Sequence, residues 1–252
     1  LLFLDYDGTL TAIVARPEMA VLPFQAREVL ARMSRNDVFK LAIISGRSIN
    51  DIKMLIGLEN VAYAGNHGLE IECPPRWSQG HKLETTSFIH PVAEKFKPRL
   101  IRLERRLGEG FAGIDGILIE NKGLSLSLHF RLAKETTVEG IEKLFSQAIE
   151  DEVETGGLLV TTGKKVFEVR PDVKWDKGKA IEWLIQTYGP SGSLPIFVGD
   201  DITDEDGFRV VHSIGGIAVI VAETPASTAA DYYLDSPDHL YQWLGELLKE
   251  RQ

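Results

Sequence analysis

Leu1-Leu2-Phe3-Leu4-Asp5-Tyr6-Asp7-Gly8-Thr9-Leu10 is the stretch that decides how this chain folds. An apolar run giving way to two carboxylates, a glycine and a hydroxyl reads as a buried strand feeding a loop, with Asp5 and Asp7 at the strand's carboxyl end. In open α/β sheets that edge is where ligands bind. Further strand-like apolar segments at 39–44, 61–64, 195–198, 217–221 and 232–234 alternate with helical patterns. Ala26, Val29, Leu30 and Met33 share one helix face, and Ser48 with Asp51 forms a capping box ahead of Ile49, Ile52, Leu55 and Ile56. A helix over 177–188 turns Ala180, Ile181 and Leu184 inward, and a last one uses Leu240, Leu244, Leu247 and Leu248. Short, nearly all-apolar strands at helical intervals predict an α/β fold whose parallel sheet is covered on both faces.

The middle of the chain breaks this rhythm. Residues 88–107 read as helical and basic, with Lys95, Lys97, Arg99, Arg102, Arg105 and Arg106. A strand at 117–120 then meets the turn Asn121-Lys122-Gly123, after which Leu124 to Arg131 alternates strictly. Leu124, Leu126, Leu128 and Phe130 form one face; Ser125, Ser127, His129 and Arg131 form a polar one. A helix with Val138, Ile141, Leu144, Phe145 and Ile149 inward follows, then strands near 158–161 and 166–170. This predicts a small α+β module at 109–170, inserted between core parts at 1–108 and 171–252, with Gly108 and Pro171 as the junctions.

Composition narrows the function. The chain has 252 residues and a net charge of -9, which argues against a general nucleic-acid surface. The single cysteine, Cys73, rules out an intrachain disulfide and suits a reducing, cytoplasmic setting. No apolar run is long enough for a membrane span, none reads as a signal peptide, and no obligate protein partner is evident. His81, His90, His212 and His239 show no convergent partners and read as surface or packing residues.

Four separated features fall at strand ends or helix starts of the core: Asp5-x-Asp7-Gly8-Thr9; Ser45-Gly46-Arg47; Lys177-Gly178; and Gly199-Asp200-Asp201-Ile202-Thr203-Asp204-Glu205-Asp206. Each alone has a plain reading. Asp-Gly is a common turn, Ser-Gly-Arg carries little information, Thr203 with Asp206 fits a helix cap, and Lys177 could be a surface lysine. Together they place many carboxylates on one sheet edge, where they repel unless a cation sits among them. Oxygen donors without a Cys or His cluster point to a hard ion, Mg²⁺ beside a phosphate. No glycine-rich nucleotide loop is present. What remains is a carboxylate nucleophile attacking phosphorus.

These four features resemble the motifs of the haloacid dehalogenase-like (HAD) superfamily of aspartyl-phosphate phosphatases, a Rossmann-like core with an inserted cap. Gly65-Asn66-His67-Gly68, Glu120-Asn121-Lys122-Gly123, Leu126-Ser127-Leu128-His129-Phe130-Arg131 and Glu168-Val169-Arg170-Pro171 narrow the resemblance to trehalose-6-phosphate phosphatases, across nearly the whole chain. The resemblance implies Asp5 as nucleophile and Asp7 as acid and base. It implies Ser45 and Gly46 on the phosphate, and Lys177 neutralising both phosphate and Asp5. Mg²⁺ would be held by Asp5, the Asp7 carbonyl and Asp200, with Asp201 and Asp204 in support. Glu120, Lys122 and Glu168 match sugar-binding positions, and His129 and Arg131 lie on the same polar face. Arg47 and His67 would orient the phosphate loop or the substrate, or else brace the core. The implied substrate is a phosphorylated disaccharide. A phosphatase for sucrose or glucosylglycerol phosphate, and a catalytically silent sugar-phosphate sensor, are the competing readings.

Overall fold

The computed structural model describes residues 1–78, 87–163, 165–224 and 227–250; His81 lies outside them. Its strands are β1 (Leu2–Leu4), β2 (Leu41–Ile44), β3 (Val61–Gly65), β4 (Glu70–Glu72), β5 (Ser87–Ile89), β6 (Leu118–Asn121), β7 (Leu126–His129), β8 (Leu158–Gly163), β9 (Val166–Pro171), β10 (Ile196–Gly199), β11 (Ile217–Val221) and β12 (Tyr232–Leu234). The helices are α1 (Phe24–Arg35), α2 (Ile49–Ile56), α3 (Pro91–Glu94), α4 (Lys97–Gly110), α5 (Val138–Glu154), α6 (Lys177–Tyr188), α7 (Glu205–Ser213) and α8 (Pro237–Lys249). The chain divides into two compact units, Leu1–Phe88 with Trp175–Gln252, and Ile89–Lys174.

In the first unit the strand order is β12-β11-β10-β1-β2-β3-β4-β5 among the described residues. From β12 to β3 every pairing is parallel. The antiparallel edge begins at β4, which pairs with β3 and which the sequence pattern had not disclosed. Strand alternation sorts the core into two layers. Leu2, Leu4, Leu41, Ile43, Val198 and Val219 pack with α1, α2 and α8, whereas Phe3, Ala42, Ile44, Phe197 and Ala218 pack with α6 and α7. Both faces being covered is why these strands are apolar at every position rather than at every second one.

The order reverses at β1: the chain moves outward through β2 and β3, then returns to the other side of β1 with β10. That reversal opens a crevice beyond the carboxyl ends of β1 and β10. Two local expectations shift. The Ser48 hydroxyl does accept from Asp51 N (3.2 Å), but the Asp51 carboxylate goes to Arg47, so the capping box is half formed. The cap placed at Thr203 and Asp206 is built two residues earlier: Asp201 accepts from Thr203 N, and Asp204 accepts from Asp201 N. Asp201 leaves β10 with extended backbone, as an N-cap must, whereas Thr203 is already inside the helical turn.

The second unit is an antiparallel sheet, order β6-β7-β9-β8, with α4 and α5 supplying the rest of its core. The basic helix α4 lies in this unit, because Leu100, Leu103 and Leu107 join its core. Its cations are partly consumed there. Arg99 donates to the Glu152 carboxylate and to the Glu152 and Gly156 carbonyls, which serves the carbonyl end of α5, and Arg106 donates to Ala148 O further back along the same helix. Leu144, expected inward, is 38% exposed: it stands about 100° round the helix from Phe145 and falls off the stripe of Ile141, Phe145 and Ile149. Phe167 stacks between Phe130 (4.9 Å) and Phe145 (4.4 Å) at the centre of this core. Phe167→Ala is expected to destabilise this unit by about 3–5 kcal/mol, the usual loss for a buried phenylalanine, read from urea denaturation.

Candidate active site

Asp5 follows β1 directly and its amide donates to Val198 O on β10 (2.9 Å), which fixes the loop over the crevice. Lys177, at the first position of α6, is 3% exposed and donates to Asp5 Oδ1 and Asp204 Oδ1, each at 2.7 Å. The other oxygen of Asp204 accepts the amides of Asp200 (3.1 Å) and Asp201 (3.2 Å), so this buried carboxylate ties the β10 loop to α6. An ammonium has three donors, and two are used here, leaving one for an incoming anion. Gly8 has a left-handed φ of +92°, and a Cβ there would stand 1.9 Å from Asp200 Oδ2. The β1 and β10 loops therefore meet with no room for a side chain between them.

One oxygen each of Asp5, Asp200 and Asp204 lies within 4.8 Å of the others. The electrostatics are unbalanced. Burial, only partly offset by Lys177 and aggravated by Asp204, raises the Asp5 carboxyl well above the usual range. Burial and then repulsion from Asp5 and Asp204 push Asp200 up to about 9. Burial alone would lower Lys177, but Asp204 and Asp5 outweigh it and hold the ammonium firmly charged. One cation for three carboxylates, two buried and Asp200 half-buried, leaves a deficit that a divalent ion would fill, and an all-oxygen donor set fits a hard one.

Asp7 sits apart from this cluster. Its carboxylate takes a two-pronged bond from Arg47, Nε to Oδ2 and Nη2 to Oδ1, both 2.7 Å. Asp201 is likewise apart: exposed, and occupied as the cap described above. Ser45 is buried, its Oγ accepting from Arg47 N (3.2 Å). Gly46 allows His67 to lie close, since a Cβ would meet the imidazole at 2.7 Å. The turn at Asn66 and His67 clasps the loop from both flanks, with Asn66 N donating to Arg47 O (2.7 Å) and His67 N to Ser45 O (2.9 Å).

In the second unit the pairing register lines up Glu120, Ser127, Glu168 and Thr161 across all four strands, on the face away from α4 and α5. His129 Nε2 lies 2.9 Å from Glu120 Oε2, and Glu168 Oε1 accepts from Lys122 Nζ (3.0 Å) and Ser125 Oγ (3.1 Å). Ser125 and Ser127 are buried despite their place on the polar face. Arg131, just past β7, is half-buried. Three residues bearing on these sites escaped the sequence reading. Ser125 was seen only as part of an alternation, Asp51 only as a cap, and Glu70, which accepts from Ile49 N (3.0 Å) and Asn66 Nδ2 (2.7 Å), not at all. Glu70 lies four residues after Asn66, and that spacing was the available signal.

Among the described residues no helix is long and apolar enough to cross a membrane. The trehalose-phosphatase family model matches residues 3–238. A trehalose 6-phosphate phosphatase of Zea mays is 35% identical, covering 99% of this chain and 70% of that protein. A probable trehalose-phosphate phosphatase of Arabidopsis thaliana is 36% identical, covering 99% of this chain and 77% of that one. The C-terminal domain of the C. albicans trehalose-6-phosphate phosphatase shares the fold, with a TM-score of 0.78 at 24% identity over 98% of this chain and 91% of that one. Sequence matches of this extent, over a core whose acidic residues gather at the sheet's switch point, make the chain a member of the trehalose-6-phosphate phosphatase family within the HAD superfamily.

Proposed function

We propose that this protein hydrolyses trehalose 6-phosphate to trehalose and phosphate through an aspartyl-phosphate on Asp5. The observation that carries the reading is the buried cluster of Asp5, Lys177, Asp204 and Asp200 at the switch point. In the first step an Asp5 oxygen attacks phosphorus, the bond from phosphorus to the sugar oxygen breaks, and Asp7 gives that oxygen its proton. In the second, Asp7 takes a proton from water, which attacks phosphorus and releases Asp5. Lys177 holds Asp5 in line and offers its remaining donor to the phosphoryl oxygens, while Ser45 and the Gly46 backbone add hydrogen bonds. Mg²⁺ held by Asp5, Asp200 and the Asp7 carbonyl, with Asp204 and Asp201 ordering the surrounding loop, would neutralise the transferring group.

Glu120, Lys122 and Glu168, with His129 and Arg131, would read the sugar, and Arg47 and His67 would orient the loops on the phosphate side. A surface of half-buried carboxylates and a lysine suits a ligand covered in hydroxyls, since analogues that leave these groups unpaired are rejected. Family membership supports trehalose 6-phosphate over other sugar phosphates.

Asp5→Asn is expected to reduce phosphate release from trehalose 6-phosphate by about 1000-fold or more, because the carboxamide does not form the covalent intermediate. A panel with sucrose and glucosylglycerol phosphates checks the substrate; a preference for either overturns the trehalose assignment. A second expectation concerns metal and pH. A carboxyl raised by folding, as Asp200 is, favours the folded state in acid and loses that contribution as pH climbs from its ordinary value of 3.8 toward about 9. Metal-free protein should therefore lose thermal stability across that interval. Asp200→Asn should raise its Tm at pH 8 by about 2–4 °C per kcal/mol of relieved repulsion, and abolish stabilisation by Mg²⁺, as read by calorimetry with and without chelator.

A further inference from the structure

Among the described residues of the first unit, Arg47 is the most heavily committed cation outside the Lys177 cluster. Its side chain is 7% exposed, and all three of its nitrogens are engaged: Nε and Nη2 with Asp7, Nη2 also with Pro17 O (2.9 Å), and Nη1 with Asp51 Oδ2 (2.7 Å). The guanidinium also lies over the Tyr6 ring, 5.4 Å from its centroid, and that ring is fixed by its own hydroxyl donating to Ala20 O (2.6 Å). Four N–H bonds are thus spent inside the protein, and the fork that would grip a phosphate is turned toward Asp7.

Asp7 is the opposite case. Its side chain is 42% exposed, and Arg47 supplies the bonds that set the plane of its carboxylate. A guanidinium on a flexible stem, held by Asp7 alone, would follow Asp7 from rotamer to rotamer, and the pair would move as one. Pro17 O and the Tyr6 ring hold the guanidinium on the Asp7 side, and Asp51, in the first turn of α2, is among the described residues the one charged anchor on the far nitrogen, tying it to the helix.

We propose that Asp51 is a positioning residue for the reaction: through Arg47 it fixes the carboxylate of Asp7 where a proton must pass to the sugar oxygen. This rests on the reading of Asp7 as acid and base given above. It assigns Arg47 to orienting Asp7 and not to holding the substrate's phosphate.

The test uses the dependence on leaving group. A sugar alkoxide needs a proton to depart, whereas the p-nitrophenolate of p-nitrophenyl phosphate leaves unaided. Asp51→Asn is expected to lower kcat for trehalose 6-phosphate about 10- to 100-fold, the range that misplacement of a reacting group costs, with KM changed less than about twofold. The loss of kcat/KM, which reports only the steps through departure of the leaving group, should be several-fold smaller on p-nitrophenyl phosphate, and Asp51→Glu should restore much of kcat. Arg47→Lys, which keeps the charge and loses the fork, should give the same signature and serves if Asp51→Asn fails to fold. Asp7→Asn is the benchmark. If it lowers kcat/KM equally on both substrates, the reading of Asp7 as acid fails and this inference with it. If it shows the leaving-group signature while the Asp51 and Arg47 variants do not, or if those variants raise KM for both substrates, the positioning role is overturned and the reading of Asp7 stands.

Discussion

A lysine ammonium closed in among carboxylates is the constraint on which the core depends. Lys177 bonds Asp5 after β1 and Asp204 after β10, and so joins the two strands on either side of the chain reversal to the helix that leads away from the site. Breaking such a pair strands a buried charge, which costs more than the pair contributes when whole. The same arrangement leaves negative charge in excess, with Asp200 and Asp5 both raised by burial. A site that is under-neutralised when empty is prepared for a cation and, beside it, for the transfer of an anion. Structural need and chemical readiness here come from the same residues.

Arg47 extends this logic to the loop after β2. It lies within bonding distance of Asp7, Asp51 and Pro17 and rests on the Tyr6 ring, while its backbone carbonyl is held by Asn66. Three loops from three strands are stitched together by hydrogen bonds rather than by apolar packing. That suits a place where a charged ligand must enter.

Much of this was legible in the chain. The parallel strands announced themselves because both their faces are buried, and α1, α2, α6 and α8 because their apolar residues recur at helical spacing. The acidic residues could be assigned to one edge because each follows such a strand. What was hidden followed from tertiary context. Glu70-Ile71-Glu72 is too short and polar to read as a strand until β3 is beside it. The basic run of α4 read only as a line of charge with no stated role, whereas Arg99 and Arg106 turn back onto α5. The partners of Asp7 and Asp201 could not be told from spacing, since a carboxylate next to a turn can cap a helix, pair with arginine or bind metal with equal ease.

The turn at Asn66 and His67 carries one more consequence. Both residues have left-handed backbone, with φ of 49° and 56°, a conformation that disfavours side chains other than glycine by about 1–2 kcal/mol per residue. Hydrogen bonds to the Ser45 and Arg47 carbonyls, and the bond from the Asn66 amide group to Glu70, hold it there. An engineer seeking a hardier protein would find glycine attractive at both places, where the backbone is already glycine-like. The gain in ease would come with the loss of the Asn66 side chain that braces Glu70 and of the imidazole lodged against Gly46. Robustness and a well-held loop after β2 are thus in competition at these two residues.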